Sequence, residues 1–382
     1  MNENKLKLMH ISDLHLGKKL SNYSMNDDQE YMLNSILEMV STERPDALMI
    51  AGDVYDKSVP SEDATELFSR FLNRLVKLNC PAYVLTGNHD SGRRLGFCDE
   101  IMSNSGVYLS GEFNGKVSRY VISKGNISLD LYMLPYFKPR TLKTYCEDFQ
   151  GTNMDEAMAK VLSDAKVDSD AINVLMAHQF VINKECSELI IGSEDFRPVV
   201  GGLDSVSVGL LKDFDYVALG HLHIPQNIGR DTVRYCGSPL KYSQSEAGRD
   251  KSVTIVEIAG KNDVSVRTIP LKPLRDLKCF TGTIQEIKSM PDCDDYVYLV
   301  LKDKGANLES IFRKKFPRLC CISFEQSNVV ANSNHISIEK IKNSNIEDLF
   351  REFFEKTTGR KLTSEQEKLL MEARDTMECE PQ

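Results

Sequence analysis

Short apolar segments of strand length alternate with amphipathic helical segments through residues 1–180 of the chain. The helical periodicity is clear where apolar residues recur every three or four positions, as at Met32, Ile36 and Val40. This alternation predicts stacked β-α units around a largely parallel or mixed sheet. The clearest strands are predicted at 6–11, 47–51, 82–86, 129–134, 172–177 and 216–219.

The pattern changes after about residue 225, where strands follow one another directly, as at 253–258 and 264–269. These strands predict a second sheet that packs against the first. The core pattern ends around Pro270 and Pro273. A small α/β unit is predicted next, from a strand at 279–287, a strand at 296–301, a basic helix at 308–316 and a strand at 320–324.

The C-terminal part differs in composition. Residues 327–345 are polar and rich in serine and asparagine, as in a tether. Ser364 with Glu367 predicts a capping box for a short helix near the end. An amphipathic helix before it is predicted from the apolar stripe Ile346, Leu349, Phe350, Phe353 and Phe354. The predicted organisation is a main domain at 1–272, a small α/β domain at 273–330, a linker at 331–345 and C-terminal helices at 346–382.

Side chains of the types that bind metals come immediately after five of the predicted strands. They are Asp13 and His15 in ISDLHLG, Asp53 in AGDVYD, Asn88 and His89 in TGNHD, His178 in MAHQ, and His221 and His223 in LGHLH. Taken singly, each is more often a helix cap, a turn residue or an ordinary packed or solvated histidine. Together they include five of the seven histidines of the chain, and the strand ends of α/β sheets bring such loops to one crevice. The set therefore predicts a metal site with enough ligands for two ions.

The mixture of carboxylates and imidazoles indicates which metals the site prefers. It suits borderline divalent ions such as Mn²⁺, Fe²⁺ or Zn²⁺, whereas an all-oxygen set would indicate Mg²⁺ or Ca²⁺. One shared carboxylate can hold two ions about 3.5–4 Å apart. Two ions would also bring positive charge to one point of a chain whose formal net charge is −9, a value that argues against a globally basic surface for nucleic acid.

The order DxH, GD, GNH, H and GHxH resembles the linear signature of the calcineurin-like metallophosphoesterases. The resemblance implies an α/β fold, a two-sheet sandwich flanked by helices, and two divalent ions bridged by Asp53. It assigns Asp13, His15 and His223 to one ion and Asn88, His178 and His221 to the other. It also implies that His89 faces the scissile phosphate, with Asp90 holding its ring. A helix N-cap role for Asp90 is equally compatible with the sequence. Four imidazoles around the ions favour Mn²⁺ over Mg²⁺.

A more specific resemblance covers residues 6–258. MHISDLHLGKKL, VGGLDSVSVGLLKDFDYVALGHLHIPQ and YCGSPLKYSQSE are similar to segments of the SbcD family, the nuclease (D) subunits of bacterial SbcCD complexes. The resemblance implies a DNA nuclease of repair, recombination and replication, acting as a 3′–5′ exonuclease on duplex ends and an endonuclease on hairpins. At Asp56 the chain departs from archaeal and eukaryotic relatives, which carry a second active-site histidine there. His89 is then the only candidate proton donor.

The same resemblance implies an assembly. It predicts DNA and an SbcC-like coiled-coil ATPase as partners, a capping role for the small α/β domain, and a homodimer within a heterotetramer of two D and two C subunits. IEDLFREFFEKTTGRKLTSEQEKLL resembles the helices that dock on the ATPase. The alternative, that the apolar stripe packs on its own chain, stays open.

Basic residues near the predicted metal loops are candidate DNA contacts, although any one of them can equally be a solvated surface charge. They are Lys18 and Lys19 after DLHLG, Arg93 and Arg94 after GNHD, and Lys241 after GSP. The densest basic cluster, Arg313, Lys314, Lys315 and Arg318 on a predicted helix of the small α/β domain, is a separate candidate for contact with the DNA backbone.

No membrane association is expected from the sequence. The N-terminal segment has no apolar stretch followed by a small-residue cleavage site, and no run of about 18 apolar residues occurs. The ten cysteines include no CxxC pair, which predicts reduced, packed thiols and a cytoplasmic protein. Two rival functions remain: a small-molecule or protein phosphoesterase, which shares the metal core, and a non-catalytic scaffold.

Overall fold

The computed structural model describes residues 5–184 and 204–325 and, further on, residues 350, 351, 354, 355, 360–363, 366, 367 and 370. The chain up to Glu325 forms one compact unit, and the residues after it form a second. The strands of the described residues are Leu6–Ile11 (β1), Lys19–Leu20 (β2), Tyr23–Ser24 (β3), Ala47–Ala51 (β4), Ala82–Leu85 (β5), Val107–Ser110 (β6), Ser118–Lys124 (β7), Ile127–Leu134 (β8), Ile172–Ala177 (β9), Val181–Ile182 (β10), Val206–Ser207 (β11), Tyr216–Leu219 (β12), Gln226–Ile228 (β13), Arg230–Tyr235 (β14), Lys251–Gly260 (β15), Asp263–Leu271 (β16), Leu277–Gly282 (β17), Tyr296–Leu301 (β18) and Arg318–Phe324 (β19).

The α-helices of the first unit are Asn26–Glu43 (α1), Glu62–Lys77 (α2), Gly92–Leu95 (α3), Asp99–Ser103 (α4), Pro139–Lys143 (α5), Met154–Ala165 (α6), Ile284–Ser289 (α7) and Leu308–Lys315 (α8). Side-chain caps start several of them: the Ser61 hydroxyl accepts the Ala64 N–H before α2, and the Asn153 side chain accepts the Glu156 N–H before α6. Among the described residues, no helix combines the length and the apolar content needed to cross a bilayer.

Two six-stranded mixed sheets form most of the first unit, with strand orders β16-β15-β1-β4-β5-β6 and β13-β14-β12-β9-β8-β7. In the first, β1, β4, β5 and β6 run parallel beside the antiparallel strands β15 and β16. In the second, β8, β9, β12 and β14 run parallel between the antiparallel edge strands β7 and β13. Since parallel strands end at the same edge, the loops after them share that edge in each sheet.

Three apolar clusters show that the sheets pack face to face with helices outside. The cluster between the sheets includes Met49 of β4 and Met176 of β9. The outer face of the first sheet packs on α1 and α2 through residues such as Ile36 and Phe71. The outer face of the second sheet packs on α6 through Met158. The predicted two-sheet sandwich flanked by helices is therefore confirmed.

The distribution of strands between the sheets differs from the prediction. The segments predicted at 253–258 and 264–269 lie in β15 and β16, and β15 pairs with β1 of the first sheet. The second sheet is built instead from β7 to β9 and β12 to β14. The reason is that strand pairing is a long-range property: both faces of β15 are largely buried, which suits a central position beside β1.

A third, three-stranded parallel sheet follows, β17-β18-β19, accompanied by α7 and α8. Residues 275–324, called the small unit below, have a core of their own that includes Leu299 and Phe312. The prediction of one strand over 279–287 is wrong, because β17 ends at Gly282. Thr283 and Glu286 form a capping box there, and their reciprocal bonds start α7.

Only part of the predicted C-terminal helices lies among the described residues. Phe350 and Phe354 are helical, and their ring centroids stack 6.4 Å apart, as expected for residues four positions apart on a helix. Reciprocal capping bonds join Thr363 and Gln366, one residue earlier than the predicted box. Outside the described residues lie the predicted linker 331–345 and Ile346, Leu349, Phe353 and Ser364.

Candidate metal centre

The predicted ligands all lie in loops at the carboxyl ends of parallel strands. Asp13 and His15 follow β1, Asp53 follows β4 and Asn88 follows β5 in the first sheet; His178 follows β9, and His221 and His223 follow β12, in the second. Because the sheets face each other, the two edges contribute to one crevice. Five of the seven side chains are nearly inaccessible, with exposures of 0–4%: Asp13, His15, Asp53, His178 and His223.

The backbone of these loops is held in an uncommon conformation. Positive φ angles occur at Asp13, His15, Asp53 and His221, with values of 53°, 44°, 49° and 101°. For residues other than glycine, this left-handed region costs about 1–3 kcal/mol each and persists only where the surroundings impose it. Gly52, at φ 92°, is also required, because a Cβ atom there would lie 2.2 Å from His178 Nδ1.

Three of the predicted ligands form subsite 1, which consists of Asp13, His15 and His223. Their donor atoms all lie within 4.8 Å of one another, and the Nε2 atoms of the two histidines are 3.0 Å apart. His15 Nδ1 is buried without a hydrogen-bond partner. Three converging donor atoms in a buried pocket are what a metal ion requires.

Three others form subsite 2, which consists of Asn88, His178 and His221. Asn88 Oδ1 lies 3.1 Å from His178 Nε2 and 3.0 Å from His221 Nδ1. Asp53 stands between the subsites, since its Oδ2 is 3.7 Å from His15 Nε2 and 3.3 Å from His178 Nε2. The structure thus brings all seven predicted ligands together; because Asp13 also clusters with Asp53 and His178, the division of the ligands between two ions stays a prediction.

The hydrogen bonding of subsite 2 favours a cation. His178 Nδ1 lies 2.8 Å from the carbonyl oxygen of Ala51, which can only accept, so Nδ1 carries the hydrogen. Nε2 then faces two acceptors, Asn88 Oδ1 and Asp53 Oδ2, a position that positive charge must occupy, whether as a proton on Nε2 or as a metal ion. Burial acts to lower the pKa of His178, but the Asp53 carboxylate outweighs it and raises that pKa to about 9.

The two buried carboxylates also require positive charge. Burial raises the pKa of Asp13 above its ordinary value, against the lowering effect of the His178 and His223 imidazoles. Burial acts in the same direction on Asp53, but His178 and His15 outweigh it and hold the pKa of Asp53 below its ordinary value. A buried carboxylate is costly without a counter-charge. The donor set therefore fits two divalent ions.

His89 lies at the edge of subsite 1, with its ring centroid 4.9 Å from that of His15. Its Nδ1 is 3.0 Å from the carbonyl oxygen of Asp56, which leaves Nε2 available to a substrate. The Asp56 carboxylate pairs with Lys18 at 3.2 Å. Asp56 therefore orients His89 through its backbone, a contact that the side-chain pattern of the sequence does not reveal.

Both sequence-based interpretations of Asp90 are wrong. Its carboxylate does not hold the His89 ring but accepts backbone N–H groups, from Gly87 at 3.0 Å, Tyr55 at 2.9 Å and Val54 at 3.1 Å. Nor is it a helix cap, because the N-cap of α3 is Ser91. Burial, with Asp53 nearby, raises the pKa of Asp90 to about 6. Asp90 ties the loop after Asp53 to the loop that carries His89.

Sequence reasoning missed a buried ion pair beneath subsite 1. Glu246 Oε1 lies 3.3 Å from His223 Nδ1, which leaves Nε2 of that ring for a metal. Glu246 also pairs with Lys251, whose Nζ donates to the His223 carbonyl oxygen at 2.7 Å and to Ser238 Oγ at 2.9 Å. Burial acts to raise the pKa of Glu246, but Lys251 and His223 hold it below its ordinary value. The one feature of the sequence that indicates this ion pair is Lys251, a lysine at the start of the apolar strand β15.

Lys251→Met is expected to destabilise the fold, because it leaves the Glu246 carboxylate buried without its cation. Breaking one side of a buried pair lowers the free energy of unfolding by about 3–5 kcal/mol. Urea denaturation in excess chelator measures this without a contribution from metals. Lys160→Met, which removes only the exposed pair with Asp164, should leave the midpoint unchanged. Equal urea midpoints for the wild type and Lys251→Met would show that the pair of Glu246 and Lys251 does not stabilise the fold.

Four candidate DNA-contacting residues lie near the metal loops. The Lys18 ammonium is 5.7 Å from the centroid of the Tyr242 ring and pairs with Asp56, whereas Lys19 is exposed in β2. Arg94 is exposed in α3, and Arg93 pairs with Glu112 at 2.9 Å. Contact between DNA and these side chains stays a prediction.

Four of the five remaining candidates pair with acidic residues of the small unit. Lys241 is mostly buried, at 11% side-chain exposure, and pairs with Asp276 at 2.7 Å. Lys314 is exposed on α8. The other three candidates form ion pairs: Arg313 with Glu309, Lys315 with Asp292 and Arg318 with Asp294. DNA contact stays a prediction here too.

Several known proteins are similar to this chain. The family model described as calcineurin-like phosphoesterase matches residues 6–225. The chain is 31% identical over 373 residues to the D subunit of the SbcCD nuclease of Staphylococcus saprophyticus subsp. saprophyticus, covering 95% of this chain and 96% of that protein. Similar solved structures include a dimetal phosphatase from Danio rerio (13% identity, TM-score 0.39, 70% of this chain and 99% of that one) and TT1561 of Thermus thermophilus (10%, 0.38, 69% and 98%).

The family model covers more than half of the chain, and the similarity to the staphylococcal protein extends over nearly the full length of both chains. The chain therefore belongs to the calcineurin-like phosphoesterase family and, within it, to the SbcD family.

Proposed function

We propose that this chain is a metal-dependent DNA nuclease, the D subunit of an SbcCD-like complex. The observation that carries the proposal is a pair of metal subsites on either side of Asp53, with His89 at the edge of one. Phosphodiester hydrolysis needs charge stabilisation at the phosphoryl oxygens and a proton for the leaving oxygen. Similarity to a nuclease subunit supports DNA as the ester among those that the family hydrolyses.

The chain's own residues prepare the site for the metals. Two divalent ions, proposed to be Mn²⁺, supply a nucleophile at neutral pH and a clamp on the phosphoryl oxygens when bound. Ala51 and Glu246 fix the rings of His178 and His223 so that each Nε2 is left for a subsite. Asp53 is kept ionised by the imidazoles beside it, which lower its pKa.

His89 is proposed as the catalytic residue that acts on the substrate. The Asp56 carbonyl oxygen accepts from Nδ1, so in the imidazolium form Nε2–H contacts the phosphate and gives its proton to the leaving oxygen. Asp90 is a positioning residue in this scheme. Its bonds to Gly87 and Val54 keep the loop of His89 against the loop of Asp53.

The proposed activities are 3′–5′ exonuclease action on duplex ends and endonuclease action on hairpins, in DNA repair, recombination and replication. End-labelled duplex and hairpin DNA, a phosphopeptide and a cyclic nucleotide, each incubated with the Mn²⁺-loaded protein, test the assignment. Preferential cleavage of DNA, faster with Mn²⁺ than with Mg²⁺, is expected. Preference for the peptide or the cyclic nucleotide would reassign the chain to the rival phosphoesterases. Hydrolysis of none would favour a scaffold.

We further propose that residues 346–382 bind a coiled-coil ATPase, in a heterotetramer of two D and two C subunits, and that residues 273–330 form the capping domain. The similarity to one component of a complex supports the assembly. Phe350, stacked on Phe354, has 43% exposure, which suits an apolar helix face that a partner groove covers.

Deletion of residues 346–382 is expected to leave Mn²⁺-dependent cleavage intact and to abolish co-purification with the ATPase, together with any ATP stimulation. The expectation follows because the chain divides at Glu325, so that the deletion spares the first unit. Pull-down, circular dichroism and nuclease assays measure the outcome. Phe350→Asp in the full-length chain should weaken partner binding alone. A deletion variant that unfolds, or one that binds the ATPase normally, would indicate that the apolar stripe packs against the core of its own chain.

A further inference from the structure

The small unit holds a buried carboxylate at the start of α1. The Asp28 side chain is fully buried, and its Oδ2 accepts hydrogen bonds from Arg275 Nη1 at 2.7 Å and from the Tyr296 hydroxyl at 2.8 Å. The next residue, Gln29, is also buried, and its Nε2 donates to the carbonyl oxygen of His15 at 2.7 Å. Two successive residues of one helix thus join the small unit to the loop that carries a ligand of subsite 1.

The loop after β1 has further contacts on the same side. Gln29 Oε1 accepts the Gly17 N–H at 2.9 Å and Nε2 also donates to the Leu14 carbonyl oxygen at 3.4 Å, so this one side chain contacts the loop at three residues. In the turn between β2 and β3, the Ser21 hydroxyl donates to the Cys320 carbonyl oxygen of β19 at 2.8 Å. The small unit therefore braces the His15 loop through α1 and through this β2-β3 ribbon.

A second route runs from the small unit to the other histidine of subsite 1. Asp276 Oδ1 pairs with Lys241 Nζ at 2.7 Å. The segment that begins at Lys241 leads to Glu246, which accepts the Tyr242 N–H at 3.2 Å and contacts His223 Nδ1 at 3.3 Å. Both routes end on histidines of the same subsite, although they start from different residues of the small unit.

Subsite 2 is held from within the two large sheets. The Ala51 carbonyl oxygen at the end of β4 accepts from His178 Nδ1 at 2.8 Å. The Gly220 N–H, next to His221, donates to the carbonyl oxygen of Ala177, next to His178, at 3.1 Å. These anchors belong to the sandwich itself, so a change in the small unit should reach the two subsites to different extents.

We propose that the small unit sets the metal affinity of subsite 1 separately from that of subsite 2, with Asp28, Gln29 and Glu246 as positioning residues. The proposal rests on the two-ion site of the proposed function. Groups that orient metal ligands typically change metal affinity by about 10–100-fold when removed. The small unit therefore acts on the occupancy of one ion of the pair without contributing a ligand.

Gln29→Met and Arg275→Met in the full-length chain test the proposal. Gln29→Met keeps the side-chain volume and removes the three bonds to the His15 loop, without leaving a charge unpaired. Arg275→Met removes the cation from Asp28. Arg119→Met is the matched control, since Arg119 pairs with the buried carboxylate of Asp130 at 2.7 Å in the second sheet. Circular dichroism in chelator establishes that each variant is folded.

Calorimetric titration with Mn²⁺ measures the two binding steps, and anomalous scattering from crystals soaked in Mn²⁺ locates the ion that is lost. We expect roughly tenfold weaker binding of one ion in Gln29→Met and Arg275→Met, at the position of Asp13, His15 and His223, and no change in Arg119→Met. Equal weakening of both ions, or of neither in folded Gln29→Met, would overturn the proposal. Wild-type protein that binds fewer than two ions would instead reject the proposed function on which it rests.

Discussion

Asp53→Ala is expected to bind neither ion at Mn²⁺ concentrations that saturate the wild-type protein, and to have no measurable nuclease activity. Asp53 Oδ2 lies between His15 Nε2 and His178 Nε2, so the substitution takes a ligand from both subsites at once. It also removes the charge that raises the pKa of His178. Metal content after equilibrium dialysis, measured by plasma mass spectrometry, gives the number of ions per chain.

Two further variants make the result specific to the shared carboxylate. Asp53 Oδ1 also accepts the His89 N–H at 2.9 Å, and Asp53→Asn retains an oxygen for that bond while it removes the charge. We expect Asp53→Asn to lose the ions as Asp53→Ala does. Asp130→Ala, which removes a buried aspartate of β8 far from the metal loops in sequence, should keep both. One ion retained in Asp53→Ala would make Asp53 a ligand of a single subsite.

His89→Asn is expected to keep both ions and to lose DNA cleavage by about a hundredfold or more, as for removal of a general acid. The ring lies at the edge of subsite 1, and its Nδ1 already contacts the Asp56 carbonyl oxygen, so its removal takes no ligand from either of the two proposed ions. Single-turnover cleavage of duplex and hairpin DNA measures the loss, and metal content is measured on the same preparation.

The neighbouring residue supplies the control for His89→Asn. Asn88→Ala removes an oxygen 3.1 Å from His178 Nε2, so it should weaken binding of one ion, whereas His89→Asn should not. Near-normal cleavage by His89→Asn would remove this histidine from the mechanism. A loss of metal equal to that of Asn88→Ala would make His89 a ligand instead.

The ligand positions were predictable because each depends on a local pattern. Run 47–51 is apolar throughout and run 172–177 is apolar except for Asn173, as expected for strands buried on both faces, and the polar residues that follow them mark the strand ends. The glycine of the GD pair is explained by the space that His178 occupies beside Gly52. The local sequence therefore indicates both where these strands end and which residue types lie at their ends.

The partners of those ligands depend on loops that meet only in three dimensions. Nothing near Asp90 in the sequence indicates that Val54 and Tyr55 present their N–H groups to it. Glu246 and His223 are 23 positions apart and meet only in the folded chain, and their burial with Lys251 contradicts the surface position that charge alone suggests. The sheet that β15 joins likewise depends on pairing with β1, more than 240 positions earlier.

Electron paramagnetic resonance of the wild-type protein loaded with Mn²⁺ tests the central claim most directly. Two ions on a shared carboxylate, about 3.5–4 Å apart, couple magnetically. We predict two ions per chain and a coupled signal in place of the six-line spectrum of isolated Mn²⁺, with the coupling lost in Asp53→Ala. One ion per chain, or two ions with uncoupled spectra, would contradict a binuclear centre built on Asp53.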